Sequence, residues 1–116
     1  VPMDKLPELM ERVKRIGEKN DVMIVTMGHA GDGNLHPCIL TDKKNPEHYG
    51  RAQKSAQEIF DAALELKGVI SGEHGIGLEK RKYLKNAMSP EAIELLKRIK
   101  KVFDPMGILN PGKIWA

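Results

Sequence analysis

An α+β fold, with helices on one face of a small antiparallel sheet, is what this 116-residue sequence predicts. Three observations predict it. Apolar residues recur at three- and four-residue spacing in three separate stretches, the period of a helix with one buried side. Two short β-rich runs, joined by Gly31-Asp32-Gly33, lie between the first and second of these stretches. The order helix, strand, strand, helix, strand, helix is that of a ferredoxin-like domain short of one strand, which residues ahead of Val1 would supply.

Leu6, Leu9, Met10, Val13 and Ile16 put a helix at about residues 5–19, with Asp4 as its cap and Pro7 in its first turn. Asn20-Asp21 breaks the pattern. Val22 to Thr26 and Leu35 to Thr41 read as strands, and Asp32-Gly33 as a two-residue hairpin turn. Asn45-Pro46-Glu47 opens a second helix with Ala52, Ala56, Ile59, Phe60, Ala63 and Leu66 inward and a stop at Gly68. Val69-Ile70 is a candidate brief strand, and Leu78 to Ala87 a short basic helix. Ser89-Pro90-Glu91 opens the last helix, with Ile93, Leu96, Ile99 and Phe103 inward. Turns follow at Asp104-Pro105-Met106-Gly107 and Asn110-Pro111-Gly112. Met10, Met23 and Met27 are read as core filler, and Cys38 as a packing thiol.

Composition narrows the class. Apolar residues make up 41% and charged residues 30%, the balance of an ordinary globular domain. No apolar run approaches the roughly 18–20 residues needed to cross a bilayer. One cysteine allows no internal disulfide, so the chain is expected in a reducing compartment, the cytoplasm, with a peripheral place at the inner face of the membrane left open. The net charge of +3 is spread over helices that interleave acids with bases, and only five aromatic residues could stack on bases. The charge is therefore read as solvated helix faces, with no nucleic acid as partner.

The candidate chemistry gathers in two loops. A two-residue turn at Asp32-Gly33 sets Gly31 opposite Asn34, Ala30 opposite Leu35 and His29 opposite His36, with directly opposed Cβ atoms about 4.5–5.5 Å apart. Two imidazoles so placed can share a divalent ion, since metal–nitrogen bonds run about 2.0–2.1 Å. Glu73 and His74, on the loop Ser71-Gly-Glu-His-Gly-Ile-Gly77, are the next candidates. On spacing alone Glu73 is equally an exposed loop acid with His74 as its ion-pair partner. Two imidazoles and a carboxylate leave coordination positions open, as catalytic sites do, and a 2-hydroxyacid could chelate there. Arg81 is a candidate for the substrate carboxylate, or only part of a wet helix face. His48, at a helix start, is read as a hydrogen-bonded surface residue.

Three strings carry a resemblance: Gly28-His-Ala-Gly-Asp-Gly-Asn-Leu-His36, Ser71-Gly-Glu-His-Gly-Ile-Gly77 and Asp104-Pro-Met-Gly-Ile-Leu-Asn-Pro-Gly-Lys113. In this order the chain resembles the C-terminal, cap and substrate domain of FAD-linked oxidases of the vanillyl-alcohol oxidase type. The nearest branch is that of the glycolate oxidase flavin subunit, D-lactate dehydrogenase and D-2-hydroxyglutarate dehydrogenase. The likeness extends over residues 1–116. It implies a divalent metal, zinc or manganese, on His29, His36 and Glu73. It also implies His74 as the base that deprotonates the substrate hydroxyl, with Glu73 and His74 close to the cofactor, Asn110 near the flavin and Asn34 lining the site. Where such proteins often carry an asparagine two residues after the second histidine, this chain has Cys38.

The resemblance further implies a flavoprotein parent whose FAD sits mainly on a domain or subunit outside this chain, so that the fragment alone would be inactive. A redox partner would take electrons from the flavin, and an uncovered sheet face leaves homo-oligomers open. The rival readings are a metal-dependent hydrolase, a noncatalytic ferredoxin-like binding module, and a structural cap completing another chain's site.

Overall fold

Residues 1–115 are described by a computed structural model. The chain divides into two compact units, Val1–Gly72 and Glu73–Ala116.

In the first unit a short 3₁₀ turn, Met3–Lys5, leads into helix α1, Leu6–Asn20. Asp4 lies inside that turn and makes no cap bond, so it does not cap the helix as the sequence predicts. Pro7 occupies the first helical turn, where a missing N–H costs nothing. Asp21 ends the helix in a left-handed conformation (φ 51°), and the chain then enters strand β1, Ile24–His29. Strand β2, Asn34–Ile39, returns antiparallel to it. Helix α2, Pro46–Glu65, follows, its first turn capped by Asn45, whose side chain accepts from His48 N at 3.1 Å.

The hairpin differs from its expected form. His29 pairs with Asn34, Met27 with His36 and Val25 with Cys38, so the loop holds four residues, Ala30 to Gly33, instead of two. A two-residue I′ turn needs positive φ at both central positions. Only Gly33 adopts one (66°); Asp32 stays in a 3₁₀ turn closed by Gly33 N on the Ala30 carbonyl at 3.2 Å. The register therefore moves by two residues, and a two-residue shift keeps every side chain on its expected face. Leu40 N bonds the Met23 carbonyl at 2.9 Å, which continues the ladder and places Thr26 and Pro37 at a non-hydrogen-bonded pair. Pro37 can sit there because no ladder N–H is required of it.

One face of this two-stranded sheet meets the helices. Leu9 and Val13 of α1 and Ile59, Ala62, Ala63 and Leu66 at α2 form the buried cluster, with Ile16, Ile24, Leu35 and Ile39 packed against it. Each leucine, isoleucine or valine side chain there stabilises the fold by about 1.5–3 kcal/mol when fully withdrawn from water. Arg12 pairs with Glu65 at 2.7 Å and Lys19 with Glu58 at 3.1 Å, a descending order of partners that fixes α1 and α2 as antiparallel. The expected face of α2 is right at Ala52, Ile59 and Ala63 and omits Ser55, which is fully buried and bonds the Arg51 carbonyl at 2.9 Å. A serine that returns its hydroxyl to the preceding turn has no polar demand left, which hydrophobic periodicity does not register.

Three expectations need correction. Val69-Ile70 forms no strand, although Ile70 is buried. Met10, Met23 and Met27 are not core filler but exposed. Cys38 is exposed as well, because its parity puts it on the face away from the helices.

The second unit begins with the loop from Glu73, in which Gly75 and Gly77 take positive φ. The expected helix from Leu78 to Ala87 is shorter: a 3₁₀ turn at Arg81–Tyr83 runs into α3, Leu84–Ala87, with Tyr83 and Leu84 buried. Helix α4, Pro90–Phe103, is capped by Ser89, which accepts from Ala92 N at 3.2 Å. Its apolar stripe was expected inward, yet α4 buries none of its residues and Phe103 is among the most exposed side chains. Amphipathic spacing fixes a helix and its apolar side, but burial needs a surface to cover that side. No helix among the described residues is long and apolar enough to cross a membrane.

Candidate functional site

Alternation along the hairpin decides which side chains leave the core. Ile24, Thr26 and Gly28 share a face with Leu35, Pro37 and Ile39, the face turned to the helices. Val25, Met27 and His29 share the other with Asn34, His36 and Cys38. His29 and His36 are diagonal neighbours on this open face, and their rings meet edge to face with centroids 5.6 Å apart and planes at 88°. Asn34 sits beside them, its amide nitrogen 3.5 Å from His29 Nδ1.

Two glycines let the chain close around Asn34. A Cβ on Gly28 would lie 2.2 Å from the Asn34 carbonyl oxygen, and one on Gly72 would lie 1.9 Å from Asn34 Oδ1. At Gly28 the clash is with backbone, so glycine is required by close approach; at Gly72 it is with the Asn34 side chain, which a Cβ would push aside. Gly72 is the last residue of its unit and is bonded to Glu73.

In the second unit, Glu73 Oε1 and His74 Nε2 are 3.1 Å apart, with the imidazole 77% exposed. The polypeptide after His74 is tied to the tail: Ile114 N bonds the Gly77 carbonyl at 2.9 Å, and Arg81 Nη1 donates to the Gly112 carbonyl at 3.2 Å. Part of the Arg81 guanidinium is thus engaged within its own unit. Asp104, buried at the end of α4, accepts from Ile108 N at 3.0 Å, Leu109 N at 3.1 Å and the Lys100 ammonium. That ammonium, followed by the two backbone N–H groups, holds the Asp104 carboxyl below the usual carboxylate range. The turn it anchors delivers Asn110, itself in a left-handed conformation at φ 46°. Burial lowers the Lys80 ammonium from its ordinary range.

His48 is placed as the sequence implies: its Nδ1 accepts from Asp42 N and meets Thr41 Oγ1, each at 3.1 Å. Spacing did not single out Met27, the cross-strand partner of His36, or Asp104. The signal for Met27 was available in strand parity once the loop length is four.

Two imidazoles set edge to face, both exposed or half-buried, are nitrogen donors of the kind that ligate divalent ions. A ligating imidazole that gives Nε2 to a metal carries its proton on Nδ1 and needs an acceptor there. The Asn34 atom facing His29 Nδ1 is its amide nitrogen, a donor, so the amide must turn to present its oxygen before it can accept there. The donor set fits a divalent ion.

Comparison with known proteins bears on the whole chain. Residues 1–114 match the family described as FAD linked oxidases, C-terminal domain. The chain is 44% identical over 116 residues to glycolate oxidase subunit GlcD of Bacillus subtilis, covering 100% of the chain and 25% of that protein. It is 40% identical over 114 residues to the mitochondrial D-lactate dehydrogenase [cytochrome] of Arabidopsis thaliana, covering 98% of the chain and 20% of that protein. It is 42% identical over 120 residues to D-2-hydroxyglutarate dehydrogenase of Stutzerimonas stutzeri, covering 100% of the chain and 26% of that protein. The chain thus spans about a quarter of the length of these relatives.

Proposed function

Because the chain belongs to the FAD-linked oxidase C-terminal domain family, we propose that it is the substrate and metal domain of a flavin-dependent 2-hydroxyacid oxidoreductase. The relatives named for glycolate, D-lactate and D-2-hydroxyglutarate support that substrate class. The observation that carries the reading is the imidazole pair on the open sheet face, edge to face at 5.6 Å beside Asn34. Sequence outside this chain would hold most of the FAD, and a redox partner would collect the electrons. A reducing compartment is the setting proposed, where Cys38 stays a thiol.

The proposed ligands of the divalent ion, zinc or manganese, are His29, His36 and Glu73. Glu73 is the neighbour of Gly72, which lies against Asn34. When bound, the ion supplies Lewis acidity toward the substrate hydroxyl and FAD supplies the hydride acceptor. His74 takes the hydroxyl proton. The Glu73 carboxylate at its Nε2 favours a proton on that nitrogen, which leaves Nδ1 as the accepting atom. Arg81 keeps N–H groups beyond the one given to Gly112 and can pair with the substrate carboxylate. Asn110, on the turn anchored by Asp104, is proposed to lie against the flavin.

The test is anaerobic mixing of the full-length flavoprotein with glycolate, D-lactate and D-2-hydroxyglutarate, with metal analysis of the same sample. Bleaching of the oxidised flavin band by at least one of them, with about one zinc or manganese per chain, is expected. A flavin that none of the three reduces overturns the proposal.

A further inference from the structure

The open face of the sheet carries more than the imidazoles. Moving along the strands from His29 and His36, the side chains on that face are Met27, then Val25 opposite Cys38, then Met23 opposite Leu40. Met23, Val25, Met27 and Leu40 are 67%, 45%, 58% and 50% exposed, and Cys38 is exposed too. Five soft or aliphatic side chains therefore form one continuous strip that runs up to the imidazole pair. The strip contains no Lys, Arg, Asp or Glu. The nearest members are Met27, directly across the ladder from His36, and Cys38, two residues along its own strand. Same-face neighbours two residues apart on a strand are about 6.5–7 Å apart, the span of a short alkyl group.

From this juxtaposition we infer that Met27 and Cys38, with Val25 behind them, are specificity-determining residues that receive the substrate's side chain. They select 2-hydroxymonocarboxylates with a short apolar side chain over 2-hydroxydicarboxylates. The inference rests on the proposed 2-hydroxyacid reading of the imidazole site and deepens it. A molecule anchored by its hydroxyl and carboxylate at His29 and His36 lays the rest of its carbon chain on the adjoining surface. An alkyl group gains contact with thioether, thiol and isopropyl groups there. A second carboxylate laid on the same strip would lose water and find no Lys or Arg among the residues that form it. Apolar pockets discriminate single methylenes by about 10–200-fold, and a site without a partner for a charge rejects it at least as strongly.

The experiment uses the full-length flavoprotein and compares kcat/KM for flavin reduction by D-lactate, D-2-hydroxybutyrate and D-2-hydroxyglutarate. It adds calorimetric binding of the products 2-oxobutyrate and 2-oxoglutarate, which needs neither turnover nor a variant. D-2-hydroxybutyrate is expected to exceed D-2-hydroxyglutarate by about tenfold or more, with the same order in product binding. Cys38→Arg and Met27→Arg are each expected to move the ratio toward the dicarboxylate by about tenfold, since a guanidinium pairs with the second carboxylate. A wild-type preference for D-2-hydroxyglutarate overturns the inference while leaving the 2-hydroxyacid reading intact. So does an unchanged ratio in both variants with flavin reduction preserved. If no 2-hydroxyacid reduces the flavin, the parent reading falls and takes this inference with it.

Discussion

The two faces of the hairpin are made of the same twelve strand residues and do opposite work. On the face turned to α1 and α2, Ile24, Leu35 and Ile39 extend the cluster around Leu9, Val13 and Ile59. On the other face, imidazoles, an amide and soft apolar side chains stand open. The difference teaches that alternation along a strand can separate stability from chemistry with no extra structure, because consecutive side chains leave the sheet in opposite directions. A substitution on one face should therefore move one property and spare the other.

The largest expected effects fall on the proposed chemistry and spare the packed face. In the full-length flavoprotein, His74→Ala should lower kcat for 2-hydroxyacid oxidation by about 10²–10⁴-fold, the usual share of a positioned base. His36→Ala should also release the metal. Both should leave the thermal midpoint of the apoprotein within about 1–2 °C of wild type, as surface substitutions do. A His36→Ala enzyme that holds a full complement of metal and keeps wild-type kcat would contradict the division between the faces.

Leu9→Ala attacks the opposite side. Leu9 is buried among α2 side chains, and its truncation should cost about 2–5 kcal/mol of unfolding free energy. Met27→Ala, on the open face, should cost less than about 1 kcal/mol in this chain. Chemical denaturation of the two variants side by side measures the gap, and equal losses would show that the open face is also packed.

Smaller effects sharpen the picture at helix ends. Asn45→Ala removes the acceptor for His48 N and should cost about 1 kcal/mol; Ser89→Ala does the same at α4. Asp4→Ala should be near neutral, since Asp4 makes no cap bond.

The smallest is a pH effect at Asp104. Its carboxyl is depressed in the folded state, so its contribution to stability is complete above the ordinary carboxylate range and fades as pH falls through the lowered value. Asp104→Asn removes the charge that pairs with Lys100. The difference in thermal midpoint between wild type and variant should be present at pH 7 and shrink as the solution becomes acidic. A difference that does not change with pH would assign the role of Asp104 to hydrogen-bond geometry alone.

The amino-acid order by itself determined the local elements and the identities of the chemical groups. Heptad-like spacing placed α1, α2 and α4 to within a residue or two, because a 3.6-residue period needs no knowledge of the partner surface. Asn45-Pro46 and Ser89-Pro90 announced two helix starts through chemistry confined to one turn. Strand parity put His29 and His36 on one face, and that conclusion survived an incorrect loop length, since an even shift in register conserves faces. What only the tertiary structure decided is which apolar groups find a cover. Met23, Met27, Cys38 and the α4 stripe look like core in sequence and stand exposed, whereas Ser55 looks like surface and is fully buried. Burial is a property of two surfaces that meet, and a one-dimensional pattern describes only one of them.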